Sequence, residues 1–281
     1  MEKRTYAGVG ILALLILGCG GAGSLVGITE DYVMLVRGSD ELMRRGDTSG
    51  TLATIFDSGA GSVSHVRFSP DESRVVYEDG VGISVQNVDG TNRVAIAGYK
   101  AATWNAAGTQ LIAVRNDNRL VMMDPDGNNA AAPFFDGSAG AGIQSIDLNE
   151  AGDKIVLCSG PSGWFRIHTL NPDGTGLTAL TPNGQAALDP RWSPDGTKIY
   201  YTRRLVGQDL DVRVMNADGT GDTPLANSTS DEQMPVPRAS GTVLYLFDDA
   251  GTVNIWEMNA DGSGKQAFES LGTGITAIEA E

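Results

Sequence analysis

Two histidines and one internal cysteine are the side chains of this sequence best suited to nucleophilic, acid–base or metal chemistry. His65 and His168 lie far apart in the chain, and a catalytic triad or a multi-histidine metal site needs more such groups than these. Cys158 follows the apolar run IVL in KIVLCSG, which indicates a buried, inert thiol. The sequence therefore predicts no catalytic residue, no cofactor and no bound metal ion.

Several Asp-Gly segments carry the oxygen-bearing side chains that calcium prefers. DPDGNN (124–129) and NPDGTG (171–176) are examples, but an EF-hand loop needs further carboxylates and a bidentate Glu. Asp-Gly is also typical of tight hairpin turns, because it tolerates the positive φ they require. We interpret these segments as turns, with calcium binding as an open alternative. GSAGAG (137–142) lacks the Lys and helix of a phosphate-binding loop, so it reads as a connection.

These residues lie within a repeated pattern of short apolar runs. Six such runs recur about every 42 residues, beginning at positions 33, 75, 111, 155, 199 and 243: VMLV, VVY, LIAV, IVL, IYY and VLYLF. Their apolar residues are consecutive rather than alternating, which indicates strands that are covered on both faces. A two-sheet sandwich would instead show alternation without a fixed period.

Two kinds of turn keep the same period. Segments related to WSPDGT (192–197) precede the apolar runs, and Asp-Gly segments such as ADGTG (217–221) follow a third short strand. Each unit therefore reads as strand, turn, strand, loop, strand, turn, strand. Four-stranded meanders that repeat in this way predict an all-β fold, a six-bladed β-propeller.

The two ends of the chain are predicted to share one blade. The first unit lacks its first strand, whereas GTGITAIEAE (272–281) matches a first strand and then stops. We expect Ile275–Ile278 to supply the missing inner strand. This pairing would close the ring and leave no open sheet edge.

The predicted meander divides the loops between two faces of the propeller. The turns described above form one uniform face, and the remaining loops form a face that varies in sequence from unit to unit. Binding residues are typically carried by variable loops on a rigid scaffold, and aromatic residues and arginines are enriched in interface anchors. The candidate partner-binding residues are Trp164, Tyr99, Arg203 and Arg204.

Charge restricts the class of partner. The chain has 35 acidic and 20 basic residues, a net charge of −15, and such a chain repels the phosphate backbone of nucleic acids. The acids also leave an alternative function open. A propeller's central funnel gathers residues from all blades, so two carboxylates there could serve a glycan-active enzyme of the lyase or glycosidase kind.

The N-terminal segment indicates export. An apolar run over residues 7–17 follows Lys3 and Arg4, which suits a secretory signal. The tetrapeptide Ile16-Leu17-Gly18-Cys19 resembles the lipobox of bacterial lipoproteins, and that resemblance implies cleavage before Cys19 and a lipid on Cys19. The expected divisions are a signal peptide (1–18), a lipidated Gly-rich tether (19–29) and the propeller (30–281).

The repeats resemble those of a known family. WSPDG followed by IYY and VMNADGTG, within residues 192–221, is similar to the WD40-like repeats of TolB-type six-bladed propellers. This resemblance implies a protein of the bacterial cell envelope. TolB itself carries a small α/β domain ahead of its propeller, for which we find no segment here. Similar repeats occur in prolyl-peptidase-like enzymes, but no Gly-x-Ser-x-Gly motif is present.

From these observations we expect a monomeric, lipid-tethered propeller that binds an envelope protein or glycan without catalysis of its own. The enzyme with carboxylates in its funnel remains the alternative.

Overall fold

The computed structural model describes residues 32–37, 41–46, 52–57, 63–137, 142–161, 163–205, 207, 209–269 and 275–280. They form 23 β-strands in six separate antiparallel sheets. Sheet 1 has the order β23–β1–β2–β3 and comprises Ile275–Ala280, Tyr32–Arg37, Glu41–Gly46 and Leu52–Asp57. Each remaining sheet follows chain order.

Sheets 2 and 3 cover the next stretch of the chain. Sheet 2 contains β4 (Ser64–Phe68), β5 (Arg74–Glu78), β6 (Gly82–Asn87) and β7 (Val94–Ala97). Sheet 3 contains β8 (Tyr99–Trp104), β9 (Leu111–Arg115) and β10 (Leu120–Met123).

Sheets 4 to 6 each have four strands. Sheet 4 contains β11 (Ile143–Leu148), β12 (Ile155–Ser159), β13 (Arg166–Leu170) and β14 (Thr178–Ala179). Sheet 5 contains β15 (Ala186–Trp192), β16 (Lys198–Arg204), β17 (Leu210–Asn216) and β18 (Thr223–Ala226). Sheet 6 contains β19 (Asp231–Pro237), β20 (Thr242–Asp249), β21 (Thr252–Asn259) and β22 (Gln266–Glu269).

The all-β propeller of antiparallel blades is confirmed, but the number of four-stranded blades requires correction. The described residues form five such blades, not six, because sheet 3 has three strands. In place of a fourth strand there is an isolated bridge between Leu120 and Phe135. Pro133 lies just before this bridge and has no N–H to donate, so it interrupts the ladder with β10. On its other side, the Ala131 N–H still donates to the Met122 carbonyl at 2.8 Å.

The first strands of the sheets adjoin one another around a common centre. In order, β4, β8, β11, β15, β19 and β23 each lie beside the next, and β23 lies beside β4. The backbone of β23 also pairs antiparallel with β1, with Leu35 opposite Ile278. Ile278 is 3% exposed and packs with Val236 and Leu244 of sheet 6.

The core consists of apolar layers between neighbouring sheets. Val75 and Val76 of β5 are both fully buried but belong to different layers, Val75 with Val66 and Val76 with Trp104. Their side chains point to opposite faces of the sheet, and each face is covered by a neighbour. This confirms the interpretation of the consecutive apolar runs.

Side-chain hydrogen bonds define the repeated turns. In the turn before β16, Ser193 Oγ donates to Asp195 at 2.6 Å and accepts from the backbone N–H of Lys198 at 2.9 Å. In the turn after β17, Asp218 accepts from the backbone N–H and the hydroxyl of Thr220, at 2.9 and 2.6 Å. These bonds lower the pKa of Asp218. The interpretation of Asp-Gly segments as hairpin turns is confirmed.

Candidate functional site

The structure places the four candidate partner-binding residues in different environments. Trp164 lies between β12 and β13, and 48% of its surface is exposed. Tyr99 begins β8 and is partly buried against the apolar layer between sheets 2 and 3, a packing role. Arg203 and Arg204 were expected in a variable loop, yet both lie in β16, paired with Asp211 and Leu210.

Arg203 belongs to an ion-pair network within sheet 5 rather than to an open surface. Its side chain is 16% exposed and lies 3.4 Å from Asp211 and 3.9 Å from Asp222. Asp222 also accepts two bonds of 2.9 Å from Arg213 and one of 2.7 Å from Tyr201. Of the two arginines, only Arg204 is exposed.

A cavity of about 330 Å³ lies beside Trp164, and we call it the sheet-4 cavity. It is formed by the loop between β12 and β13, the start of β13 and the connection that follows β14. Its lining residues are Ser159, Gly160, Pro161, Trp164, Arg166, His168, Asn183 and Gly184. Arg166 and His168 are two positions apart in β13, so their side chains lie on the same face of the sheet.

Hydrogen bonds fix the two basic side chains of this cavity. Arg166 Nε donates to the carbonyl oxygen of Thr181 at 2.7 Å. His168 Nδ1 lies 3.2 Å from the Arg166 carbonyl and 3.2 Å from Ser159 Oγ. Burial, with a contribution from Arg166, lowers the pKa of His168. This shift favours the neutral imidazole at pH 7, which has one N–H donor and one nitrogen acceptor in its ring.

From the sequence alone, His168 is a candidate only for catalysis or metal binding, and Arg166 and Asn183 are not predicted as site residues. The available signal was the spacing of two residues from Trp164 to Arg166 and on to His168, which suits one face of a strand. Asn183 offered no such signal, because it enters the cavity from the next connection of the chain.

A second, smaller cavity of about 120 Å³ lies among the first strands, at the centre of the ring. It is lined by His65, Asp189 and Met234 from three sheets, together with Arg67, Arg191, Ser145 and others. His65, Asp189 and Met234 have φ of 52°, 50° and 55°, and each lies at an irregularity in its strand's pairing.

Asp189 is the carboxylate in the described lining of this central cavity. Burial raises its pKa, and the charges of His65 and Arg191 oppose that shift. Its side chain lies deep in the molecule, yet part of its surface is accessible because it faces the cavity. His65 Nδ1 lies 2.9 Å from Glu78.

The other residues weighed for chemistry have structural surroundings. Cys158 is fully buried with its Sγ 3.2 Å from the Ala187 carbonyl oxygen, and burial raises its thiol pKa. The expected burial of this thiol is confirmed. Within the described ranges, no group of three or more His, Cys, Asp or Glu side chains is placed to hold a metal ion.

The proposed lipidation site lies outside the described residues, as does the apolar run over residues 7–17. In the part of the chain that the structure describes, we find no helix long and apolar enough to cross a membrane.

Comparison with known proteins identifies relatives of the repeats. No family model matches the chain. A TolB homologue of Chlorobium luteolum is 30% identical over 113 residues, which make up 40% of this chain and 25% of that protein. The matched region thus spans about a quarter of that curated relative.

Solved structures agree on the fold. A structure from Agrobacterium tumefaciens described as TolB superposes with a TM-score of 0.69 at 15% identity, covering 89% of this chain and 92% of that one. TolB from Acinetobacter baumannii gives 0.74 at 16% identity, covering 96% and 69%. An oligogalacturonate lyase with manganese gives 0.56 at 14% identity, covering 82% and 70%. The fold is that of a TolB-like β-propeller.

Proposed function

We propose that this protein is a non-catalytic binding scaffold of the bacterial cell envelope, which holds a protein or glycan partner on its variable-loop face. The observation that carries the proposal is Trp164, an aromatic side chain left 48% exposed beside the sheet-4 cavity. Aromatic anchors on a rigid scaffold dominate many binding surfaces. The likeness to TolB proteins supports a place in the envelope.

We further propose that a lipid on Cys19 holds the protein to a membrane, with residues 1–18 as the signal peptide and 19–29 as the tether. The support is the lipobox-like ILGC sequence. A dual or triple acyl anchor binds a membrane far more firmly than one chain. Cys19→Ala should therefore move the processed protein from the membrane pellet to the soluble fraction. A processed Cys19→Ala protein that still sediments with membranes would contradict the lipid anchor.

The pairing of β23 with β1 supports a third proposal, that the two ends of the chain hold the ring closed. Without β23, the inner edge of β1 would present unpaired backbone groups. Ile278 would also leave its apolar layer against sheet 6.

The glycan-active enzyme is not favoured by a specific observation. Its mechanism needs two carboxylates that face each other across a sugar, and Asp189 is the carboxylate found in the described lining of the central cavity. The likeness to the oligogalacturonate lyase extends to the fold alone.

Recovery of partners from solubilised envelopes tests the scaffold. Trp164→Ala should reduce recovery of a cross-linked partner at least tenfold, because loss of a central aromatic anchor typically costs more than about 1.4 kcal/mol. The matched control is Val81→Ala, since Val81 is 70% exposed on the equivalent loop of sheet 2. Equal recovery with both variants would place the binding surface elsewhere.

A further inference from the structure

The composition of the sheet-4 cavity favours an anionic ligand. Its described lining contains no Asp or Glu, although the chain has 35 acidic residues. With His168 neutral, Arg166 supplies the formal charge of the lining. The protein's distant negative charges are screened over about 8 Å at physiological ionic strength, so the local arginine determines which ligand charge is attracted.

Arg166 is arranged to receive a carboxylate. The bond from its Nε to the Thr181 carbonyl holds the plane of the guanidinium. Its two terminal nitrogens have no hydrogen-bond partner among the described residues. A guanidinium matches a carboxylate through two parallel N–H···O bonds, which are roughly twice as strong as neutral ones.

The other side chains of the cavity suit a sugar ring. Trp164 offers a flat apolar surface that fits the C–H face of a pyranose, and its backbone N–H donates to the Pro161 carbonyl at 2.9 Å. The exposed Asn183 provides an amide donor and acceptor. Neutral His168, which also lines the cavity, adds a ring that can exchange a hydrogen bond with a hydroxyl group.

We propose that the sheet-4 cavity binds a carboxylate-bearing sugar residue of the uronic acid class, with its carboxylate on Arg166 and its ring against Trp164. The proposal rests on the scaffold function and names the chemistry of its partner. A volume of about 330 Å³ accommodates one sugar residue of a longer chain.

This proposal is tested by titrating the full chain, in detergent, with D-glucuronate, D-glucose and N-acetylglutamate amide. Binding is measured by calorimetry and by saturation-transfer NMR. Glucuronate should bind saturably and at least tenfold more tightly than glucose or the amino-acid probe. Arg166→Gln should weaken glucuronate binding by about 10- to 100-fold, the range for a charged hydrogen bond, without changing glucose binding. Trp164→Ala should weaken both sugars.

Two further variants keep the test clear of folding effects. Arg119→Gln removes an exposed arginine from the equivalent loop of sheet 3 and should leave every affinity unchanged. Asn183→Ala changes an exposed side chain and should weaken both sugars without altering the melting temperature.

The proposal is overturned if glucuronate and glucose bind equally, if N-acetylglutamate amide binds as tightly as glucuronate, or if Arg166→Gln has the effect of Arg119→Gln. Absence of saturable glucuronate binding also overturns it. If these sugar tests fail while Trp164→Ala still reduces partner recovery at least tenfold, the scaffold function stands and only its sugar chemistry is wrong.

Discussion

Burial, more than any neighbouring charge, controls the protonation of His168. The side chain is 6% exposed on β13, and removal from water lowers its pKa, with Arg166 adding to the shift. A neutral imidazole so close to a guanidinium is consistent with a cavity that receives one negative charge. Trp164, by contrast, has the exposure expected of a binding residue.

The low pKa of His168 predicts a pH dependence of stability. The folded state binds this proton less readily than the unfolded state does. The free energy of unfolding is therefore unaffected by His168 well above its unfolded-state pKa of about 6.5, and it decreases as the pH falls below that value. Wild type should therefore lose more stability than His168→Gln between about pH 7.5 and about pH 5.5. Urea unfolding at both pH values measures the difference. Equal losses of stability in the two proteins would show that folding does not shift the pKa of His168.

At the scale of the strand, sheet 5 is held together by charges as well as by its backbone ladder. Arg203 lies in β16, Arg213 in β17, and Asp222 precedes β18, so a single carboxylate joins three parts of the sheet. The Arg213 side chain is 8% exposed and Asp222 is 36% exposed. The guanidinium is therefore shielded from water, whereas the carboxylate is partly solvated, and this solvation weakens the ion pair.

Removal of Asp222 should destabilise sheet 5. Asp222→Ala leaves the buried Arg213 guanidinium and the Tyr201 hydroxyl without this acceptor, at a cost of about 1–2 kcal/mol in the free energy of unfolding. Denaturant unfolding measures this loss. The control is Asp209→Ala, an exposed acid in the loop just before β17, which should change stability by less than about 0.5 kcal/mol. Equal effects of the two substitutions would argue that the network is fully solvated.

At the scale of the whole molecule, strands from opposite ends of the chain meet in one sheet. The order of neighbouring first strands passes from β19 to β23 and on to β4. In sheet 1, β1 pairs with β23, although more than 200 residues separate these two strands in the sequence. Local sequence cannot stabilise such a contact by itself, because closing a long loop has an entropic cost.

Deletion of residues 275–281 tests ring closure. The deletion removes β23, which pairs with β1 and adjoins β4 and β19, so we expect loss of a single cooperative unfolding transition, or aggregation through the open edge. Calorimetry and light scattering measure both outcomes. Ile278→Ala is the control. It should cost about 2–5 kcal/mol as a buried truncation yet keep one cooperative transition. A deletion variant that melts like wild type would refute closure by this strand.

The sequence alone determined the elements whose causes are local. The consecutive apolar residues of runs such as IVL and IYY, and the turn chemistry of Ser193, Asp195 and Asp218, act within a few residues of one another. Strands, turns and the repeat could therefore be read directly. The structure places His65 in a first strand, β4, and His168 in a third strand, β13, within this locally determined pattern.

Only the tertiary structure decided which distant residues meet. The sequence predicts Arg203 as a binding residue in a loop, whereas in the structure it lies beside Asp222, nineteen positions further along the chain. Sheet 3 lost its fourth strand where Pro133 interrupts the ladder, although the period of the repeats predicted one. The sheet-4 cavity likewise joins Trp164 to Asn183 across an intervening strand pair. Such meetings depend on loop paths and on packing between sheets, and these are determined by the whole chain rather than by any local pattern.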